Sequence, residues 1–274
     1  MVSWNVAGRV NADMTALLTR DAPDLVLLQE VTESVWAGYR AAFPAYWKAF
    51  SLDHRPQPEA LGRRYGLGTA ILGGPRTRCR SQRLPLQDLV QPERVLDVDV
   101  GVDGLTEPIT AVSYHALHGG HGADKPRVSA AVGDWLEQQN GPVLVGMDAN
   151  SPDVDHPDFK LTRCHWAQQP FTDLEPRLLG PTKTHRLRDL WREHLEQDHE
   201  ALATLRRDRP TGPLAVSHIV QGRPRRYDHL WATPDINVEA LEYDQLGLAD
   251  GHSDHALIRA TLVAGGDSET HRTT

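Results

Sequence analysis

The stretch "GHSDHALI", residues 251–258, sets Ser253, Asp254 and His255 directly before a run in which Ala256, Ile258, Ala260 and Leu262 alternate as they would in a half-buried strand. A carboxylate and an imidazole at the mouth of a strand can hold a cation and move a proton. Comparable groups stand where other apolar runs stop. Asn5 interrupts "VSWNV" (2–6), Glu30 ends "DLVLLQE" (24–30), and His115 follows the apolar part of "EPITAVSYHALHGG" (107–120). Asp148 and Asn150 end "PVLVGMDAN" (142–150), and Asp228 lies in a run over 226–232. In open α/β sheets ligands bind where strands stop, so this many polar strand ends point to one shared site.

The residue types suit phosphate-ester hydrolysis assisted by a hard cation. Mg2+ takes oxygen ligands and keeps several waters, so carboxylates and an amide suffice; Glu30, Asp254 and Asn5 supply them, and Mn2+ is the other candidate ion. Such an ion polarises a phosphoryl oxygen and stabilises the leaving oxygen. His255 with Asp228 forms a base with its orienter, for taking a proton from water. Asp148 and Asn150, two apart on an extended segment, face one side; the acid orients the attacking water and the amide donates to phosphate oxygens. His115 is a donor to a nonbridging oxygen.

These groups need elements to carry them. Short apolar runs alternate with amphipathic segments bounded by Pro or Gly, which predicts an α/β chain of strands interleaved with helices. Strands are expected near 2–6, 24–30, 66–74, 96–102, 107–115, 142–150, 214–221, 226–232, 236–243 and 255–263. Helices are expected at 14–18, from Thr32 through Phe43, from Asp124 to Gly141, and through Leu187 to Leu195. Residues 151–185, rich in Pro, Asp and Thr, read as a long loop that shapes a pocket rim. One domain over 1–263 and a polar, disordered tail over 264–274 are expected.

Composition narrows the class. The 274 residues are 39% hydrophobic and 24% charged, ordinary for a globular protein, and can bury a sizeable core. The net charge of -8 argues against bulk attraction to nucleic acid, although Arg63 and Arg64, the run Arg76, Arg78, Arg80 and Arg83, and the group Arg223, Arg225 and Arg226 are candidate local patches. Cys79 and Cys164 form neither a disulfide framework nor a C-x-x-C site. No signal sequence and no apolar stretch near ~18 residues is present, so a cytoplasmic protein without a membrane partner is expected.

Taken in order, the segments resemble the endonuclease/exonuclease/phosphatase superfamily, with its deoxyribonuclease I-like fold. "SWNVAG" is similar to its first motif, "LLQEV" to its metal-binding glutamate segment, "VSYHA" to its strand-end histidine, "GMDANSP" to its Gly-Asp-x-Asn motif, "RRYDHLW" to its Arg-x-Asp segment and "GHSDHAL" to its terminal Ser-Asp-His. The resemblance spans roughly residues 2–263. It implies a four-layer sandwich, two central mixed β-sheets flanked by helices, and a divalent-metal hydrolase of phosphodiesters or phosphomonoesters. It implies Asn5, Glu30 and Asp254 at the metal, His115, Asp148 and Asn150 around the phosphate, and the Asp228–His255 pair as orienter and base. Met147 departs from the pattern, standing where many members have a second glycine.

Other readings stay open at this stage. His115, His118 and His121 could form a zinc site, "GLGTAILGG" could be a nucleotide-binding loop, and Asp148 and Asn150 before Pro152 could be turn chemistry. The chain could also be a catalytically silent module that holds a phosphorylated partner. Among enzyme readings a nuclease or other phosphodiesterase leads, with a phosphatase next.

Overall fold

A computed structural model describes residues 1–54, 66–164 and 173–265. In chain order the elements are β1 (Val2–Asn5), α1 (Ala12–Thr19), β2 (Leu25–Val31), α2 (Glu33–Ala42), β3 (Trp47–Phe50), β4 (Gly68–Gly73) and β5 (Thr77–Arg83). There follow β6 (Val95–Val102), β7 (Ile109–His115), α3 (Asp124–Glu137), β8 (Val143–Asp148), α4 (Pro176–Leu179), β9 (Arg188–Asp189), α5 (Leu190–Gln197) and α6 (His199–Asp208). The chain closes with β10 (His218–Val220), β11 (Arg223–Arg225), β12 (Asp228–Ala232), β13 (Ile236–Asp244), α7 (Leu246–Ala249) and β14 (Leu257–Ala264).

Two six-stranded sheets form the centre, in the orders β13-β14-β1-β2-β4-β3 and β5-β6-β7-β8-β12-β9. Each contains one parallel pair, β1 with β2 and β7 with β8, and all other pairings are antiparallel. A parallel pair requires a crossover, and α1 and α3 supply it. The C-terminal ends of the parallel strands therefore lie at one end of the sandwich, together with the N-terminal ends of β12 and β14. The register puts His115 beside Asp148, and Asp148 beside Asp228.

Alternation along the strands creates three apolar layers. Leu25 and Leu27 of β2, Leu96, Val98 and Val100 of β6 and Leu144 of β8 face one another between the sheets. Val26 and Leu28, pointing the other way, pack with Met14 and Leu18 of α1 and with Val35, Trp36 and Tyr39 of α2. Val143, Val145 and Met147 pack with Val128, Val132 and Leu136 of α3. Each fully buried large side chain contributes roughly 1.5–3 kcal/mol. The result is the expected α/β sandwich of two mixed sheets with helices outside.

Several expectations need adjusting. α2 begins after Thr32, whose hydroxyl accepts from Val35 N–H, and α3 begins at Asp124, both as expected. β3 and β5 were not anticipated: β3 is four residues long, too short to show a period, and six of the seven β5 residues are exposed, so it shows no apolar pattern. α6 also escapes sequence reading because it buries no residue. The strand expected over 214–221 is instead a short hairpin of β10 and β11, turned by Gln221 and Gly222 at φ of 50° and 76°. Arg63 and Arg64, and the tail from residue 266, lie outside the described residues. No helix among the described residues is long and apolar enough to cross a membrane.

Two buried histidines make the fold sensitive to acid. His185 Nε2 donates to the Leu178 carbonyl at 2.9 Å while Nδ1 accepts from Leu187 N–H at 3.3 Å, and His229 Nε2 donates to the Ser151 carbonyl at 2.9 Å. Burial holds both pKa values down to about 4 from the usual 6.5. The unfolded chain therefore binds more protons across that window, so stability is fully present above pH 6.5 and is lost as pH falls toward 4. Each histidine should contribute on the order of 3 kcal/mol to that loss. In denaturant melts at pH 6.5, 5.5 and 4.5, His185→Gln should show a shallower pH dependence than the parent, and equal slopes would remove His185 as a source.

Candidate active site

The site begins with a buried amide. Asn5, the last residue of β1, accepts Ala7 N–H on Oδ1 at 2.9 Å, which fixes which way the amide faces. Its Nδ2 then donates to Asp148 Oδ2 at 2.8 Å and Glu30 Oε1 at 3.2 Å, and lies 3.5 Å from His255 Nε2. One side chain thus joins the end of the first sheet to the end of the second. Asn5 Oδ1 accepts Ala7 N–H and keeps a second lone pair, while toward the acids Asn5 presents its N–H groups.

Glu30 reaches this point because the β2–β4 ladder shifts register between Leu28 and Val31, and Glu30 takes a left-handed φ of 55°. A bulge of this kind turns a side chain sideways at a strand end. The carboxyl is half-buried. Burial would raise its pKa, yet the hydrogen bond and charge of His115, the Asn5 bond and the His255 charge bring it down to about 2. His115 Nε2 lies 3.2 Å from Glu30 Oε1 and 3.7 Å from Asp148 Oδ2.

Asp148 is buried with both oxygens engaged: Oδ2 accepts from Asn5, and Oδ1 accepts Asn150 N–H at 2.9 Å. Asn150, at a left-handed φ of 47°, donates through Nδ2 to the Ala116 carbonyl at 3.0 Å. The turn chemistry visible in the sequence is therefore real, and it holds the two polar residues at the site. Lys125, fully buried on α3, braces this loop by donating to the Asn150 carbonyl at 2.8 Å while pairing with Glu175 at 3.0 Å.

On the other side His255 Nδ1 donates to Asp228 Oδ2 at 2.7 Å, and His255 Nε2 lies 3.9 Å from Asp148 Oδ2. Burial would lower the His255 pKa, but the charges of Asp228 and Asp148 and the Asp228 hydrogen bond outweigh it and raise the pKa to about 10. Main-chain ties fix the imidazole further: His255 N–H donates to Ser253 Oγ at 3.1 Å, and its carbonyl accepts Trp4 Nε1–H at 2.8 Å. His218 stacks on the ring at 4.2 Å and 15°. Asp228 is located by Ser217, whose Oγ accepts Asp228 N–H at 3.0 Å.

Seven of the eight residues singled out from the sequence therefore meet: Asn5, Glu30, His115, Asp148, Asn150, Asp228 and His255. Asp254 does not join Glu30. Its carboxylate is exposed and lies with His218 and His255, while its carbonyl accepts His218 Nδ1–H at 2.7 Å. Ligand atoms fall within 4.8 Å of one another in Glu30–His115–Asp148, in Asp148–Asp228–His255 and in His218–Asp254–His255. Among the described residues His118 and His121 belong to no such group, which removes the three-histidine zinc reading. A cavity of about 1350 Å3 opens beside Met1, Asp24, Pro142 and Ile236, at the opposite end of the strands, and contains none of the site residues.

Sequence reading missed Arg94, Lys125, Ser217 and His218, which lie outside the strand ends that drew notice. It did quote Ser253 and Arg226 within motifs without giving them roles. Arg226 is buried and bridges Asp155 and Asp189, with Nε to Asp155 Oδ2 at 2.8 Å and Nη1 to Asp189 Oδ1 at 3.0 Å, two residues before Asp228. Within the other arginine groups Arg76 pairs with Asp24, Arg78 with Asp103, Arg83 with Asp97 and Arg225 with Asp153, while Arg80 and Arg223 are exposed.

By sequence the chain matches no family model and no curated protein. By structure it resembles TDP2 of D. rerio bound to a single-stranded DNA product, with TM-score 0.64 and 16% identity over 96% of this chain and 98% of that one. It also resembles an endonuclease/exonuclease/phosphatase protein of Beutenbergia cavernae, with TM-score 0.60 and 20% identity over 97% and 71% of the two chains. A third similar structure is a mannosyl-6-phosphatase of Bacteroides thetaiotaomicron, with TM-score 0.58 and 13% identity over 96% and 98%. The chain has the fold of the endonuclease/exonuclease/phosphatase superfamily, the deoxyribonuclease I-like fold.

Proposed function

We propose that this protein is a divalent-metal-dependent phosphohydrolase, with phosphodiesters, nucleic acid among them, as its first substrate class. The observation that carries this reading is the pairing of two features at one sheet end: the carboxylates of Glu30 and Asp148 on the Asn5 amide, facing the His255–Asp228 pair. Carboxylate oxygens of this kind suit Mg2+ or Mn2+, with water completing the shell. Glu30 is the principal metal-site acid, Asp148 its neighbour, and Asn5 the amide that sets their spacing; Asp254 adds negative charge at the rim. When bound, the ion supplies positive charge that polarises a phosphoryl oxygen and offsets the carboxylates around His255.

The remaining steps belong to the chain itself. Asp148 orients the attacking water, and His255 Nε2 takes its proton while Asp228 holds Nδ1–H and stabilises the imidazolium. The 3.9 Å between His255 Nε2 and Asp148 Oδ2 lets both groups address one water. Asn150 Nδ2, held on the Ala116 carbonyl and Asp148 Oδ2, and His115 Nε2, held near Glu30, are the donors a bound phosphate would draw on where charge grows during in-line displacement. A second reading, hydrolysis of small phosphoesters including monoesters, is favoured by Arg225 and Arg226, drawn onto Asp153, Asp155 and Asp189, which leaves these two arginines poorly placed to track a long nucleic-acid backbone.

Plasmid DNA, bis-p-nitrophenyl phosphate and p-nitrophenyl phosphate, each with Mg2+, Mn2+ or EDTA, separate these readings. EDTA-sensitive cleavage of plasmid DNA supports the first, and activity on the small esters without plasmid cleavage supports the second. His255→Ala and Asp148→Asn should each lower turnover by about 100-fold or more while the fold is kept. Parental rates in either folded variant would remove that residue from the machinery. Glu30→Gln should raise the metal concentration needed for half-maximal activity, and an unchanged titration would place the ion elsewhere.

A further inference from the structure

Arg94 is a buried cation that the reaction scheme above does not use. It ends a 3-10 turn, Pro92–Arg94, just before β6, and its side chain runs inward to the site. Its Nη1 lies 2.9 Å from His115 Nδ1 and 3.2 Å from His115 Nε2. A donor in the plane of an imidazole can approach only one ring nitrogen closely, so near-equal distances place Nη1 above the ring face. The same Nη1 lies 3.5 Å from the Ala116 carbonyl, which also accepts Asn150 Nδ2, and Arg94 Nε donates to Gln91 Oε1.

We propose that Arg94 is a positioning residue of this site: laid on His115 and sharing the Ala116 carbonyl with Asn150, it holds both phosphate-facing donors and fixes a permanent positive charge beside Glu30 and Asp148. The proposal rests on the phosphohydrolase reading for what the two donors do. Its charge argument stands apart from that reading. Glu30, Asp148 and Asp228 bring three carboxyls to one small volume, whereas Arg94 adds a cation that does not deprotonate at physiological pH. Packed 2.9 Å and 3.2 Å from the two ring nitrogens, Nη1 also restrains the imidazole against rotation. His115 is thereby kept with Nε2 toward Glu30.

The two roles give effects of opposite sign. Losing a fixed positive charge near the acids should tighten binding of a divalent cation, while losing the support under His115 and Asn150 should slow turnover. Arg94→Met should therefore lower kcat by about tenfold or more with KM little changed, and should tighten Mn2+ binding, followed by electron paramagnetic resonance without substrate, on the order of tenfold. Arg94→Lys, which keeps the charge but cannot cover the ring, should leave Mn2+ affinity near the parent while still lowering kcat. Turnover within about twofold of the parent in folded Arg94→Met overturns the proposal, as does weakened Mn2+ binding, since general damage to the site weakens both. Should Arg94→Met fail to fold, Arg94→Lys decides: parental kcat overturns the positioning role, and a lowered kcat with parental Mn2+ affinity supports it. If the parent protein hydrolyses no phosphoester, the Mn2+ shift still tests Arg94, and the hydrolase reading alone fails.

Discussion

The hydrogen bond from Asn5 Nδ2 to Asp148 Oδ2, 2.8 Å long, spans the two sheets, and the site exists only because the sheets meet closely enough for it to form. Beneath it the inter-sheet core changes character. Away from the site the layer is Leu, Val and Ile, but near Asn5 it becomes polar and small. Gln29 donates to Ser113 Oγ at 3.1 Å and to the Gly146 carbonyl at 3.3 Å, and Ser113 Oγ donates to the Leu28 carbonyl at 2.9 Å. At Gly146 an added Cβ would come within 2.5 Å of Ser3 Oγ and 2.7 Å of a Leu27 methyl. A glycine is required there to bring β8 against β1 and β2 at this level.

Around that contact, charge is ordered by burial. Asp148, Asp228 and His255 are nearly inaccessible, Glu30 is half-buried, and Asp254 is exposed. An unpaired buried carboxylate is costly, so each finds a donor: an amide for Asp148, an imidazole for Asp228. The same rule explains the groups outside the reacting centre. Arg226 between Asp155 and Asp189, and Lys125 between Glu175 and the Asn150 carbonyl, are buried ion pairs that secure the segments carrying Asp228 and Asn150. Such pairs add little net stability over apolar residues of equal size, but removing one partner strands the other. Their value here lies in fixing position.

Topology explains why six separate segments converge. The C-terminal ends of β1, β2, β7 and β8 bring Asn5, Glu30, His115 and Asp148 to one edge of the sandwich, and the antiparallel neighbours β14 and β12 start there with His255 and Asp228. Two left-handed residues, Glu30 and Asn150, adopt conformations that non-glycine residues seldom take. Both lie at the site, where strain of about 1–3 kcal/mol is held by surrounding bonds.

The sequence by itself determined the α/β class, the long apolar strands, α2 and α3 with their starting residues, and the polar residue at each strand end, because burial imposes periods of two and 3.6 that any such chain must obey. Exposed elements carry no such period and four residues are too few to show one, so β5 and α6 on the first ground and β3 on the second were not legible. Of the site, the residue types were legible and their partners were not. Only the tertiary structure decided that Asn5 turns its N–H groups toward the acids, that Asp254 stays at the rim, that His118 and His121 stand apart, and that Arg94, Lys125 and Arg226 support the centre. Hydrogen bonds and charge contacts across 20 to 250 positions depend on how strands from two sheets register in space, and no local pattern in the chain encodes that.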